Sequence, residues 1–242
     1  MRGRRPAGVA LGVLATASVL AACSSGDTAG SGRASDTPAD SAPATSPAGP
    51  PPVGQLVLAD EMDDDRNGWG TGLGLSFAAG DYVVAGVTPI GVVTYPDALM
   101  DPPESAVVTA RFSAPVGTPF VAVTCSISPD GGSFYALGVG RDVMAISRVS
   151  GNAETPLDAG VLARADTGVD LTAPHDVQGT CVRGRDGMEL WLSVDGAVVL
   201  SAVDPEPLDA GRPGLLMVPA PGTPEGSELQ ARVASWSVAR LG

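Results

Sequence analysis

An acidic stretch that begins at residue 63 has the residue types and the spacing of the first half of a calcium-binding loop. Asp63, Asp65 and Asn67 alternate along the chain and precede Gly68, which gives the pattern D-x-D-x-N-G. Oxygen ligands at alternate positions before a turn-forming glycine can wrap a hard cation. An EF-hand needs a bidentate Glu at the twelfth position, where this chain has Gly74. We therefore expect either a looser calcium site formed by these three side chains or a solvated acidic turn.

The same stretch lacks the second carboxylate of a glycosidase. Glu61 to Arg66 follows the laminarinase-type signature E-x-D-x-x-E, except that Arg66 stands in place of the second Glu. A retaining glycosidase needs two carboxyl groups about 5 Å apart. His175 is the only histidine, and no G-x-S-x-G turn supplies a serine for it to activate. Because no catalytic set is complete, we predict that the protein is not an enzyme.

Three arginines within the first five residues precede an apolar run over residues 7–20, which leads into Leu-Ala-Ala-Cys at Cys23. These N-terminal residues resemble the signal and lipobox of a bacterial lipoprotein. The resemblance implies a signal peptide over residues 1–22 and a lipid on Cys23. The lipid would hold the protein in the bilayer, at the extracytoplasmic face of a bacterial cell membrane. An ordinary secretory signal, cut nearby, is the alternative.

Composition divides the remaining chain into a linker and one domain. Residues 23–52 are mainly Ser, Ala, Gly, Pro, Thr and Asp and contain no aromatic residue, so they predict a disordered tether. Residues 53–242 have a length that suits one domain with one core. The whole chain has a net charge of −13 at pH 7, and such acidity repels nucleic acid. We therefore exclude a nucleic-acid partner.

The domain has the pattern of strands separated by turns. Apolar and polar residues alternate over Met188 to Val194, and Asp-Gly pairs at residues 186–187 and 195–196 are hairpin signals. We expect one short helix around Pro96 to Met100 and otherwise an all-β, two-sheet antiparallel sandwich. The predicted strands are Leu56–Ala59, Asp81–Val87, Val92–Tyr95, Ala106–Ser113, Phe120–Ser128, Ser133–Gly140, Val143–Val149, His175–Arg183, Met188–Val194, Ala197–Val203, Gly214–Val218 and Leu229–Val238.

Two cysteines of the domain, Cys125 and Cys181, fall on predicted strands. An exported protein meets an oxidising environment, where an even pair predicts a disulfide. Neither cysteine has the close Cys or His neighbour that a zinc site needs. Two buried free thiols are the alternative.

Trp191 is the candidate ligand-binding residue of the domain. It alternates with Leu190 and Leu192, so it takes the outer face of its sheet if the leucines face the core. An exposed tryptophan can stack on a sugar ring or fill a pocket of a partner protein. Alternatively, a crossing loop covers Trp191, or Trp191 itself belongs to the core.

Several short motifs follow one another along the domain: Leu58-Ala59-Asp60-Glu61, Asn67-Gly68-Trp69, Gly80-Asp81-Tyr82, Phe134-Tyr135-Ala136-Leu137-Gly138-Val139, Leu190-Trp191-Leu192-Ser193-Val194-Asp195-Gly196 and Gly211-Arg212-Pro213-Gly214-Leu215. Taken in order, they resemble those of the concanavalin A-like jelly-roll superfamily, in its laminin-G-like and keto-disaccharide-hydrolase-like branch. The resemblance implies two packed antiparallel sheets, one of them with a concave outer face. Related bacterial lipoproteins carry paired cysteines on two central strands, which supports a bond between Cys125 and Cys181.

Members of that superfamily include lectins, glycosidases and adhesion modules, so the fold leaves the function open. Our leading hypothesis is a membrane-anchored, non-catalytic module that binds a glycan or a protein ligand. A carbohydrate-active hydrolase and a structural or accessory envelope lipoprotein, with an envelope protein as its partner, are the alternatives.

Overall fold

The computed structural model describes residues 49–87, 91–150, 157 and 160–242. These residues form strands and turns, and they include no helix that is long and apolar enough to cross a membrane. The predicted signal peptide, Cys23 and nearly all of the predicted tether lie outside the described residues. In chain order the strands are β1 (Val53–Asp60), β2 (Leu75–Ala78), β3 (Asp81–Val87), β4 (Val92–Thr94), β5 (Ala106–Val116), β6 (Pro119–Ile127), β7 (Ser133–Val139), β8 (Met144–Ser150), β9 (Val161–Ala165), β10 (His175–Arg183), β11 (Met188–Val194), β12 (Ala197–Asp204), β13 (Arg212–Pro219) and β14 (Glu228–Leu241).

The strands form two antiparallel sheets, which confirms the predicted two-sheet jelly-roll sandwich. The eight-stranded sheet has the order β12-β11-β10-β5-β14-β3-β2, with β1 paired to β14. The six-stranded sheet has the order β4-β13-β6-β7-β8-β9. At 14 residues, β14 is long enough to pair with β3 through its first half and with β1 through its second, while β5 pairs along its other edge.

Alternate residues of each strand fill the core between the sheets. On β11 the buried Leu190 and Leu192 point inwards, as the alternating pattern predicted. Trp69 and Trp236 are both buried and pack edge to face, with ring centroids 5.0 Å apart. An aromatic pair in this geometry stabilises a fold by roughly 1 kcal/mol beyond the burial of its surface.

A disulfide joins the two sheets. Cys125 lies on β6 of the six-stranded sheet and Cys181 on β10 of the eight-stranded sheet. Their Cα atoms are 6.7 Å apart and their sulfur atoms are bonded. The predicted disulfide is confirmed, and it crosses the middle of the sandwich.

The outer face of the six-stranded sheet is apolar and buried. Ala122 on β6 and Ala136 on β7 lie there with Leu157 in a second hydrophobic cluster. Thr124 and Ser147, which flank Ala136 in the strand register, are buried on the same face, and neither hydroxyl has a hydrogen-bond partner in the described part of the chain. The face is therefore closed to a ligand at these positions, whereas Val161 and Arg164 on β9 are exposed.

The structure corrects the prediction at three places. Strands β2 and β9 were not predicted, because each is short and its alternation is weak. Residues 96–100, predicted as a helix, form turns. The backbone amides of Asp97 and Ala98 donate to the carbonyl oxygens of Gly68 and Asn67, at 3.1 and 3.0 Å. Those bonds to a distant loop replace the local bonds that a helix would need.

Candidate ligand-binding groove

Asp60, at the end of β1, organises the acidic loop that follows it. Its buried carboxylate accepts hydrogen bonds from the backbone amide of Met62 at 2.8 Å, from Asn67 Nδ2 at 2.6 Å and from Trp69 Nε1 at 2.8 Å. Three donors satisfy a carboxylate that has left bulk water. Asn67, predicted as a calcium ligand, thus connects the loop to β1 through Asp60.

The two aspartates of the predicted calcium site bind other partners. Arg66 donates to Asp63 Oδ1 and Asp64 Oδ1, each at 2.8 Å, and its hydrogen bond lowers the pKa of Asp64. Asp65 Oδ1 accepts from the backbone amide of Gly70 at 3.3 Å. Across the described ranges, no group of three or more His, Cys, Asp or Glu residues is arranged to hold a metal ion. The geometry gives the calcium prediction no support.

Trp191 is buried, so the predicted exposure of its ring is wrong. Leu190 and Leu192 face the core, and Trp191 takes the opposite face of the sheet, but it is only 2% exposed. Thr180, its register partner on β10, is 1% exposed, so the outer face is closed at this point. Alternation indicates which face a side chain takes but not whether that face meets solvent. Trp191 therefore has no free surface for a sugar ring.

His175 forms a surface pair rather than part of a catalytic triad. Its Nδ1 lies 2.7 Å from Asp195 Oδ2, and its Nε2 lies 3.2 Å from the carbonyl oxygen of Asp170. The hydrogen bond with His175 lowers the pKa of Asp195. Because an oxygen already occupies each ring nitrogen, neither is free to activate a serine.

An open groove of about 440 Å³ lies on the outer face of the eight-stranded sheet. Its floor is one row of the sheet, in which Val116 on β5, Gln230 on β14 and Ala85 on β3 lie side by side. Leu73 and Glu228 also line it. Pockets that bind small molecules enclose about 300–1,000 Å³, so the groove is large enough for a ligand.

Glu228 and Gln230 form the polar side of the groove. Leu229 and Ala231 belong to the core, so the alternation along β14 turns Glu228 and Gln230 outwards. Neither side chain has a hydrogen bond or an ion pair with the part of the chain that the structure describes. An amide donates and accepts hydrogen bonds, and a carboxylate accepts them. Beside the apolar Val116, these groups suit a ligand that has hydroxyl groups and an apolar face.

A tight turn forms the rim of the groove. Gly72 and Leu75 exchange backbone hydrogen bonds of 2.8 and 3.0 Å, and the carbonyl oxygen of Gly74 accepts from the amide of Ala85 at 2.8 Å. A Cβ atom at Gly74 would lie 2.1 Å from the carbonyl oxygen of Ala85, so only glycine allows this approach. These contacts hold Leu73 at the edge of the groove.

The architecture matches that of several solved structures. The carbohydrate recognition domain of Emp47p and a Bacillus subtilis protein with a galectin-like fold each align with a TM-score of 0.56 and 13% identity, over 78% of this chain and 98% of theirs. A β-glucanase from Bacillus licheniformis aligns with a TM-score of 0.52 and 10% identity, over 78% of this chain and 99% of the glucanase. The fold is a concanavalin A-like jelly roll. No protein-family model and no curated protein matches the chain. At these identities the likeness shows the fold alone.

Proposed function

We propose that this protein is a non-catalytic, glycan-binding module held by a lipid on Cys23 at the outer face of a bacterial cell membrane. The groove on the eight-stranded sheet supports the binding role, because it places an unpaired amide and an unpaired carboxylate beside the apolar side chains of Leu73 and Val116. The fold adds support, since the carbohydrate recognition domain of Emp47p has the same architecture.

A glycan array probed with the purified protein tests the binding role. The wild type binds a subset of the glycans, and Gln230→Ala loses most of that binding because the amide both donates and accepts. Gln178→Ala is the matched control: Gln178 lies on β10 and does not line the groove. A blank array with well-folded protein would overturn the proposal. Constant co-purification with one membrane protein would then favour an accessory role with a protein partner.

The groove favours binding over hydrolysis. Glu228 is its one carboxylate among the described residues, whereas retaining hydrolysis needs two about 5 Å apart. A β-glucanase shares the fold, so the hydrolase alternative has its own test. We expect no new reducing ends when the protein is incubated with the glycans that it binds. Release of reducing ends that Glu228→Gln abolishes would make the protein an enzyme.

The lipid anchor has a separate test. Cells that express the full chain are grown with labelled fatty acid. We expect label on the wild-type protein and none on Cys23→Ser, which should appear in the soluble fraction. A wild-type protein without label would remove the anchor from the proposal and leave the groove unaffected.

A further inference from the structure

Leu73 has a backbone conformation that leucine rarely adopts. Its φ is 53° and that of Gly74 is 90°, so both central positions of the turn between Gly72 and Leu75 are left-handed. Such a turn favours Asn, Asp or Gly at its first central position, because glycine has no Cβ to crowd the backbone and the side chains of Asn and Asp form local hydrogen bonds. Leu73 is also 72% exposed, so burial does not offset the strain.

Two other two-residue turns in the described ranges have the same backbone but different first residues. Ala79 and Gly80 have φ angles of 57° and 83°, and Asp195 and Gly196 have 48° and 80°. Aspartate suits this position, whereas the Cβ of alanine meets the same crowding as that of leucine. Leu73 is the large apolar residue of the three, and it serves neither the turn nor the core. Residues that the surrounding structure holds in sparsely populated backbone conformations cluster at functional sites.

The surroundings of Leu73 indicate what it contacts. Val116, which is 39% exposed, and Ala85 line the groove with it, on either side of Gln230 in the row that crosses β5, β14 and β3. The carboxylate of Glu228 and the amide of Gln230 lie along the same groove. A sugar ring has an apolar face of C–H groups and an edge of hydroxyl groups, which matches a groove lined by both apolar side chains and hydrogen-bonding groups.

The negative charge of the groove and of the chain limits which glycans the groove can bind. Glu228 is the one charged side chain that lines the groove among the described residues, and the whole chain has a net charge of −13. A uronate, sialate or sulfate would meet a like charge with no cation beside it, and a like charge excludes a ligand effectively. The groove therefore favours an uncharged glycan.

We infer that Leu73 is a ligand-contacting residue, held at the rim to pack on the apolar face of an uncharged sugar while Gln230 and Glu228 bind its hydroxyl groups. This inference rests on the proposed glycan-binding function. It adds the residue that makes the apolar contact and the charge class of the ligand.

The test compares Leu73→Asn, Leu73→Ala and Ala79→Asn with the wild type on an array of neutral and acidic glycans. Leu73→Asn should bind about tenfold more weakly, because it loses the apolar contact of a leucine side chain. It should also melt at a temperature equal to or above that of the wild type, because Asn suits the turn. Leu73→Ala should also weaken binding, but it should not gain the melting temperature that Asn gives the turn. Ala79→Asn, which relieves the same backbone strain outside the groove, should leave binding unchanged.

The outcomes separate the inference from the function on which it rests. A wild type that binds no glycan overturns both. Wild-type binding that Leu73→Asn retains overturns the role of Leu73 alone, and binding confined to acidic glycans overturns the ligand class alone. A fall in the melting temperature of Leu73→Asn would show that Leu73 supports the fold, which also contradicts the inference.

Discussion

Tyr135 on β7 donates a hydrogen bond of 2.6 Å to the carboxylate of Asp204, at the end of β12 in the opposite sheet. Asp204 is buried, and Arg148 lies 3.5 Å from its other carboxylate oxygen. The hydroxyl of Tyr135 also accepts from the backbone amide of Leu208 at 2.9 Å. This set of polar contacts links the two sheets at the edge of the sandwich.

Removing the Tyr135 hydroxyl should destabilise the fold. In Tyr135→Phe the buried carboxylate of Asp204 and the amide of Leu208 each lose a partner, so we expect the free energy of unfolding to fall by about 1–3 kcal/mol. Urea denaturation measures the change. Tyr95→Phe is the matched control, because the ring of Tyr95 packs against Arg212 and the change keeps that ring; it should alter stability by less than about 0.5 kcal/mol. Equal losses of unfolding free energy in Tyr135→Phe and Tyr95→Phe would contradict this role of the Tyr135 hydroxyl.

Loss of the disulfide should weaken the sandwich strongly. The bond between Cys125 and Cys181 spans a sequence separation of 56 residues. In the chain-entropy model, closing a loop of this length stabilises a fold by about 4 kcal/mol. We expect Cys125→Ala, Cys181→Ala and the double variant to lose similar amounts in urea denaturation, since each removes the same bond. If the double variant lost the sum of the two single losses in unfolding free energy, each cysteine would stabilise the fold separately, which would contradict a contribution from their bond.

Alkaline titration should find Tyr82 protonated well above its ordinary range. Burial raises the pKa of Tyr82 from 10.0 to about 12. The folded protein and Tyr82→Phe should therefore have nearly the same tyrosinate absorbance at about pH 11, and a difference should appear when both are denatured. Because the folded-state pKa is raised, the stabilising contribution is complete below pH 10 and is lost as the pH rises towards 12. A difference of one tyrosinate between the native proteins at pH 11 would contradict this.

Acid should weaken the contact between His175 and Asp195. Hydrogen bonds from His175 and from the backbone amide of Asp176 lower the pKa of Asp195 below 3.8. A lowered pKa stabilises the fold above the ordinary value, and that contribution is lost as the pH falls through the folded-state value. Asp195→Asn keeps the left-handed turn but should make stability fall less steeply below about pH 4. Asp142→Asn should follow the wild type, and an Asp195→Asn curve parallel to the wild type would count against the contact.

The fold could be predicted where the residues of a short segment and the turn beside it mark the bounds of a strand. Strands β3, β10 and β11 have the predicted bounds because their alternating residues end at turn signals such as Gly80 and Asp195-Gly196. Strand β2 was missed because Leu75–Ala78 is only four residues long and follows a turn with a leucine-glycine pair, which does not mark the start of a strand. Residues 96–100 were misassigned because their amides bond to a loop about thirty residues earlier, which no local pattern indicates.

The candidate site could not be predicted because it depends on register between distant strands. Val116, Gln230 and Ala85 become neighbours only when β5, β14 and β3 pair as they do. Trp191 was the more visible candidate by residue type, but neighbouring buried residues close the sheet around it. The one sequence signal that could have indicated the groove is Leu73 between two glycines, a residue type that does not suit the turn that those glycines predict.

The most direct test of the account is to map the bound glycan by backbone amide chemical shifts. The purified protein is titrated with the glycan that the array selects, and the shifts are assigned along the chain. We predict that the largest shifts cluster at Leu73, Val116 and Gln230, around the groove of the eight-stranded sheet. Shifts that cluster on the six-stranded sheet, with none at these three residues, would contradict the account.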